Sequence, residues 1–176
     1  MADRKLKIFV SSTVYGFDDI LDQVYATLES FGYTVVMSKE GNLYVPAWGS
    51  NEDACLDAIE DCDLFYGIIF PRYGSGITHK EFQKAVDLNL PRWFSAHYTI
   101  EFTRKLMYQF MFNCKGNRNK FDIKPTNVLD SIKVVDMFNL VRNRWVQPFF
   151  KTPELLNFID TQFKDINRRK TEIIGP

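Results

Sequence analysis

Leu64-Phe65-Tyr66-Gly67-Ile68-Ile69-Phe70 is the most continuous apolar run in the chain, and Pro71 ends it abruptly. A strand that is apolar at every position, and not at alternate ones, belongs in the middle of a parallel sheet with both faces covered. The segment before it, from about Glu52 to Cys62 with Ser50 or Asn51 as cap, has helical spacing and turns Cys55, Leu56 and Ile59 toward that sheet. Further upstream, Lys7 to Val10 is a short strand that stops at Ser11-Ser12-Thr13. Phe17, Ile20, Leu21, Val24 and Leu28 then recur at helical intervals until Gly32, and Tyr33 to Met37 reads as a second strand. Strand, helix, strand at this length implies a parallel pair. A loop from Ser38 to Gly49, carrying Tyr44, Pro46 and Trp48, leads into the Glu52 helix.

Downstream of the central run, the turn Arg72-Tyr73-Gly74-Ser75-Gly76 precedes a helix expected from Thr78 to about Asn89, and Pro91-Arg92-Trp93-Phe94 begins a fourth strand. Thr99 is the expected cap of a longer helix with Ile100, Met107, Phe110 and Met111 as its buried stripe. Asn113 to Thr126 is polar, basic and glycine-containing, the signature of an exposed, mobile loop. Ile132 to Val135 has the composition of a fifth, edge strand. Thr152-Pro153-Glu154 is a cap, first-turn proline and acidic residue opening a final helix, with Leu155, Leu156, Ile159, Phe163 and Ile166 on its inner stripe.

This alternation predicts an α/β fold: a three-layer, flavodoxin-like parallel sheet of four to five strands with helices on both faces. We expect one domain over 1–176, with core βα units in 1–112, the basic loop in 113–126 and a C-terminal strand/helix region in 127–176. In such a sheet strands one and three are neighbours, their crossovers leave on opposite faces, and a crevice opens at their carboxyl ends. Those ends are Ser11-Ser12-Thr13 and Arg72-Tyr73-Gly74.

The 176 residues suit a single domain, and 45% hydrophobic with 25% charged residues is ordinary globular composition. Twenty-two basic residues balance 22 acidic ones, which argues against a nucleic-acid or membrane-surface partner and for a small anionic ligand bound by a few loop residues. Cys55, Cys62 and Cys114 show no metal spacing and read as reduced thiols, and the opening MADRKLKIFV is too short an apolar stretch for a signal or span, so a cytoplasmic location is expected. Sixteen phenylalanines exceed what one core of this size needs, pointing to a groove or oligomer interface.

Three groups at the crevice could carry chemistry. Ser11, Ser12 and Thr13 offer hydroxyls and amides ahead of a helix start, suited either to a phosphate or simply to capping the helix. Arg72 is placed to pair with a phosphate and Tyr73 to stack on a base or ribose, while Gly74 and Gly76 allow close approach; a solvated arginine and a turn-filling Tyr-Gly are the plainer alternative. Glu81, one turn into its helix, is placed to stabilise or attack an oxocarbenium-like ribose carbon during N-glycosidic cleavage. Thr78-His79-Lys80-Glu81 is equally a capping box, in which the glutamate would only reach back to its own helix start. His79 and His97 lack partners for metal or triad work, no metal site is expected, and there is no Walker loop or GxGxxG.

The segments KIFVSSTVYGFDDI, EDACLDAIEDCDLFYGIIFPRYGSGITHKEFQKA and LPRWF resemble a family of TIR-like domains long catalogued as of unknown function, related in fold to TIR domains and nucleoside 2-deoxyribosyltransferases. Gly16 stands where the family often has aspartate, Phe17 matches its usual phenylalanine, and Phe82 replaces a common tyrosine; PRWFSAHYTIEFTRKL and WVQPFF extend the likeness with lower specificity. In TIR domains and deoxyribosyltransferases a glutamate after the third or fourth strand is catalytic, and the resemblance carries that role to Glu81. It implies cleavage of the nicotinamide–ribose bond of NAD as substrate, with no cofactor required; the crevice supplies Ser11, Ser12, Thr13, Tyr15, Arg72, Tyr73, Gly74 and Thr78 as the residues expected around the nucleotide. It further implies bacterial anti-phage defence or signalling, and a homo-oligomer or a separate effector or sensor protein as partner.

Three functions follow for test: an NAD glycohydrolase or ADP-ribose cyclase, with a deoxyribosyltransferase-like N-glycosidase as its close variant; a nucleotide-binding sensor or effector without turnover; and a TIR-type interaction module. The first requires Glu81 to face the crevice, free of its helix start. The second would tie Glu81 to that start, and the third would fill the crevice with Tyr15, Tyr73 or Trp48.

Overall fold

The computed structural model describes residues 4–40, 43–165 and 168–169. Its elements run β1 (Lys7–Ser12), α1 (Asp18–Ser30), β2 (Thr34–Val36), a short 3-10 turn (Ser38–Glu40), α2 (Asn51–Glu60), β3 (Leu64–Ile69), α3 (Ile77–Asp87), β4 (Arg92–His97), α4 (Tyr98–Met111), α5 (Lys133–Val141), β5 (Val146–Phe149) and α6 (Thr152–Phe163). The sheet is five-stranded in the order β2-β1-β3-β4-β5, and every pairing is parallel. This is the expected α/β, flavodoxin-like arrangement, with β3 at the centre and buried along its whole length.

Two apolar layers sandwich the sheet. Ile8, Val10, Tyr66 and Ile68 pack with Leu21, Val24 and Leu28 of α1 and Leu155, Ile159 and Phe163 of α6. The opposite parity, Phe9 and Phe65, packs with Cys55 and Ile59 of α2, Phe82 and Ala85 of α3, and Val134, Met137 and Val141 of α5. Period-two alternation therefore decides which helices each strand residue meets. Gly67 interrupts the aromatic series on the second face because a Cβ there would stand 2.6 Å from both Phe82 and Phe94. On the other face the Tyr66 hydroxyl and the buried Ser95 hydroxyl satisfy each other at 2.8 Å.

Several boundaries differ from expectation. Ile132–Val135 is no edge strand: Lys133 opens α5, and Val134, Val135, Met137, Phe138 and Val141 fall at helical intervals on a buried face, while the edge strand is Val146–Phe149. A short β-branched run leaves strand and helix ambiguous, and here the following Met137 and Phe138 decide for the helix. β1 runs through Ser12 and does not stop at Val10. α4 is capped by His97, whose Nδ1 accepts from the Thr99 N–H, so Thr99 lies inside the helix. Of its expected stripe, Ile100 and Met111 are fully buried, whereas Phe110 is half exposed. α6 opens with Lys151 at the cap and Glu154 accepting from the Phe150 N–H at 2.6 Å; Ile166 lies outside the described residues.

The segment 113–126 is exposed as expected apart from the half-buried Phe121 and Ile123, and it is tied to the body at a few points. Phe121 stacks on Phe110 with centroids 5.8 Å apart, the Asn119 side chain donates to the Phe110 carbonyl, and Arg118 forms a two-point ion pair with Asp136. No helix among the described residues is long and apolar enough to cross a membrane.

Candidate active site

Ser11 has the same parity as Phe9, so its side chain leaves β1 on the face covered by α2 and α3. There α3 presents Thr78, Glu81, Phe82 and Ala85 as its buried stripe, an i, i+3, i+4, i+7 series in which a carboxylate takes a core position. The Ser11 hydroxyl donates to Glu81 Oε2. The Cys55 thiol, from the buried face of α2, is a second hydrogen-bond partner of the same carboxylate. Glu81 is only 3% exposed and Ser11 1%.

The capping-box alternative does not hold. α3 begins at Ile77 behind Gly76, which sits at φ 86° in the left-handed region, so Thr78 is inside the helix and Glu81 makes no bond to the helix start. Burial raises the pKa of Glu81, and the hydrogen bonds from Ser11 and Cys55 oppose that shift. The Cys55 thiol is pushed up to about 12, first by burial and then by the neighbouring Glu81 charge. A desolvated carboxylate held by two weak donors is a group with its charge in reserve, a common condition of acid–base and nucleophilic residues.

Other expected residues divide. Thr13 and Thr78 are both buried near this centre, and the Thr13 hydroxyl donates 2.9 Å to the Arg72 carbonyl. A Cβ on Gly74, which sits at φ 61°, would stand 3.3 Å from Thr13 Cγ2, so the β3–α3 turn lies directly against the end of β1. Ser12 is half-buried at the end of β1, its hydroxyl directed to the Thr13 carbonyl at 3.4 Å. Tyr15 is 84% exposed and Trp48 fully so; neither fills the crevice.

Arg72 and Tyr73 are held elsewhere than expected. The Arg72 guanidinium donates to the carbonyls of Pro71, Asn127 and Val128, which turns it to the incoming 127–128 strand of chain and not into the crevice. The Tyr73 hydroxyl lies 3.1 Å from His79 Nδ1. Ser11 and Glu81 thus come together, Thr13 joins the end of β1 to the 72–74 turn, and the Arg72 side chain stands apart. Nor does the Ser-Ser-Thr triplet cap α1: that helix starts later, behind Phe17, with Asp18 and Asp19 in its first turn, where two carboxylates oppose an anion.

Two contributors lay beyond sequence reasoning. Cys55 was readable as sheet-facing, but its meeting with Glu81 needs the packing of α2 on α3. Asp130 accepts from the backbone N–H groups of Tyr73 and Gly74, at 2.8 and 3.1 Å, and fixes the turn beside the crevice across more than fifty residues of chain. Among the described residues no group of three or more His, Cys, Asp or Glu is placed to hold a metal ion.

The fold and this buried centre define an α/β domain with a polar cluster at the carboxyl ends of its first and third strands. The chain belongs to the family described as Domain of unknown function (DUF4062), whose model matches residues 7–152. Among solved structures it is similar to a conserved protein from Enterococcus faecalis V583, at TM-score 0.50 and 12% identity over 90% of this chain and 99% of that one. It is also similar to a 2-desoxiribosyltransferase from Leishmania mexicana, at TM-score 0.45 and 15% identity over 78% and 97% of the two chains. No curated protein matches the chain. At these identities the first likeness speaks to fold alone.

Proposed function

We propose that this protein is an N-glycosidic-bond hydrolase of the TIR-like type, acting on the nicotinamide–ribose bond of NAD, with Glu81 as its catalytic carboxylate. The observation that carries the proposal is the orientation of Glu81: it stands on the core stripe of α3, away from its own helix start, and meets Ser11 at the carboxyl end of β1. Open parallel sheets bind ligands at this position, between strands whose crossovers diverge. An ionised Glu81 would stabilise positive charge at the ribose C1′ as the bond to nicotinamide breaks. The bonding pair leaves with the pyridinium nitrogen as neutral nicotinamide, water adds at C1′, and one proton is released with ADP-ribose. Attack by a group of the same nucleotide in place of water gives the cyclic product. A role in bacterial anti-phage defence or signalling belongs to this same proposal.

Glu81 is enclosed in the present conformation, so a ribose reaches it only after its surroundings open. That enclosure favours a second reading, a nucleotide-responsive protein whose crevice opens on binding without turnover. Nicotinamide release from NAD by the purified protein, with Glu81→Gln alongside, separates the two. Release that disappears in Glu81→Gln supports the hydrolase. No release, with NAD or ADP-ribose still raising the melting temperature, supports the sensor.

A further inference from the structure

Lys133, the first residue of α5, places its Nζ 5.8 Å from the centre of the Tyr73 ring, so α5 begins at the same carboxyl edge of the sheet as the β3–α3 turn. It covers the face on which Glu81 lies. Tyr73 in turn is packed onto the start of α3: its hydroxyl is 3.1 Å from His79 Nδ1, and a Cβ on Gly76 would stand 3.1 Å from its ring. On the other side of Lys133 opens a cavity of about 290 Å³, walled by Arg118, Lys120, Phe121, Asp122, Lys133 and Asp136.

The charges around this cavity do not cancel. Arg118 is engaged by Asp136 in the two-point pair at 2.8 and 3.2 Å and also donates to the Asn119 carbonyl. Asp122 accepts the Ile123 N–H at 2.8 Å. Among the described residues, Lys120 and Lys133 have no carboxylate partner. The lysines of α3 differ, for Lys80 pairs with Glu52 at 2.6 Å and Lys84 pairs with Glu60. Arg72 is held by backbone carbonyls. Open positive charge next to Tyr73 therefore comes from Lys120 and Lys133.

We propose that this cavity holds the diphosphate of a nucleotide, with Lys120 and Lys133 as its cationic contacts. An ammonium meets a phosphate as a point charge with three donors on a flexible stem, so two lysines serve two phosphate groups without a fixed fork geometry. Size agrees: ligand cavities run from roughly 300 to 1,000 Å³, and this one sits at the small end, fit for a diphosphate and an adjoining sugar but not for a whole dinucleotide. The inference deepens the proposed hydrolase and rests on it for direction, since a nicotinamide ribose at Glu81 puts the ADP half past Tyr73 and against α5. The phosphate contact expected of Arg72 passes to the 113–126 segment and the first residue of α5.

Isothermal titration calorimetry of the full chain with ADP, inorganic pyrophosphate and adenosine, at low and physiological salt, tests this on the wild type, Lys120→Gln, Lys133→Gln, the double variant and Lys115→Gln. All three lysines are exposed, and circular dichroism checks that each variant is folded. ADP and pyrophosphate should bind the wild type, more weakly as salt rises, with adenosine weaker than ADP by about tenfold or more. Each cavity variant should lose about tenfold in ADP affinity and the double variant more, while Lys115→Gln, which removes a charge from the same segment outside the cavity, should lose none. In nicotinamide release the cavity variants should raise KM for NAD with kcat little changed. Failure of both anions to bind, binding indifferent to Lys120 and Lys133, or an equal loss in Lys115→Gln overturns the inference. ADP held through the two lysines by a protein that releases no nicotinamide upholds the cavity and overturns the hydrolase alone.

Discussion

The Ser11 hydroxyl donates to the Glu81 carboxylate across the junction of β1 and α3, two groups seventy positions apart in sequence and both almost wholly enclosed. A carboxylate in that position costs stability, since an apolar or neutral group of the same size would avoid its desolvation. Proteins keep such residues where function needs them, and the cost is itself measurable.

Glu81→Gln should therefore be more heat-resistant than the wild type at neutral and alkaline pH. The folded pKa of Glu81 lies above its ordinary value of 4.5, so the folded state holds a proton that the unfolded chain has released. Stability from this group is complete below about the ordinary value and is lost as pH rises through the raised one. The melting temperatures of Glu81→Gln and wild type should converge toward pH 4 and separate as pH rises. Equal separation at every pH would show that Glu81 is not titrating in this range.

Ser11→Ala removes a donor that favours the ionised form of Glu81, so the carboxyl pKa should rise further. In a nicotinamide-release assay the acidic limb of the pH–rate profile should move to higher pH, with the rate falling on that limb and unchanged on the plateau above it. Loss of this buried hydrogen bond should cost about 1 kcal/mol of stability. An unmoved limb with a uniformly lower rate would assign Ser11 to substrate contact and not to the tuning of Glu81.

Cys55 and Cys62 are buried, and burial raises both thiols to about 12, whereas Cys114 is exposed. A thiol-specific reagent at pH 8 should label one cysteine quickly and the other two only at the rate of opening, because the thiolate is the reacting species. A nucleotide that opens the crevice should accelerate labelling of Cys55 relative to Cys62, since only Cys55 touches Glu81. Identical acceleration of both would indicate general loosening of the fold.

The order of strands and the layering of helices were legible because β3 is apolar at every residue and α1, α2 and α6 carry clean helical stripes. The edge was not: Ile132–Val135 and Val146–Phe149 are both short and largely apolar, and only the continuation of the first into Met137 and Phe138, which lets it pack as a helix against α3 and α4, tells helix from strand. At the site, Glu81 could be singled out, but its role was divided between cap and crevice. The sequence SGITHKEF permits a helix start at either Gly76 or Thr78, and one residue pair of difference turns the glutamate from cap to core. Arg72 illustrates the opposite error, in which a phosphate ligand on paper is recruited by the carbonyls of Asn127 and Val128. Backbone acceptors brought in from distant chain leave no mark in a local motif.

Asp130 bears directly on that distant recruitment. Its two carboxylate oxygens hold the Tyr73 and Gly74 amides at 2.8 and 3.1 Å, and Gly74 in turn lies against Thr13 at the mouth of the crevice. Asp130→Ala leaves two N–H groups without this charged acceptor, at a cost of about 1–2 kcal/mol. The loss should be local, because Arg72 still binds the 127–128 carbonyls and the α1/α6 layer does not touch this turn. Hydrogen exchange should quicken over residues 73–76 and the start of α3 while α1 and α6 keep their protection. Asp130→Asn, which retains one oxygen acceptor, should fall between. If the turn is what encloses Glu81, Asp130→Ala should also titrate Glu81 closer to its ordinary value as water gains access, and the pH-dependent gap to Glu81→Gln should narrow. Faster exchange at the turn with an unchanged gap would place the barrier to Glu81 elsewhere, in the packing of α2 and Cys55.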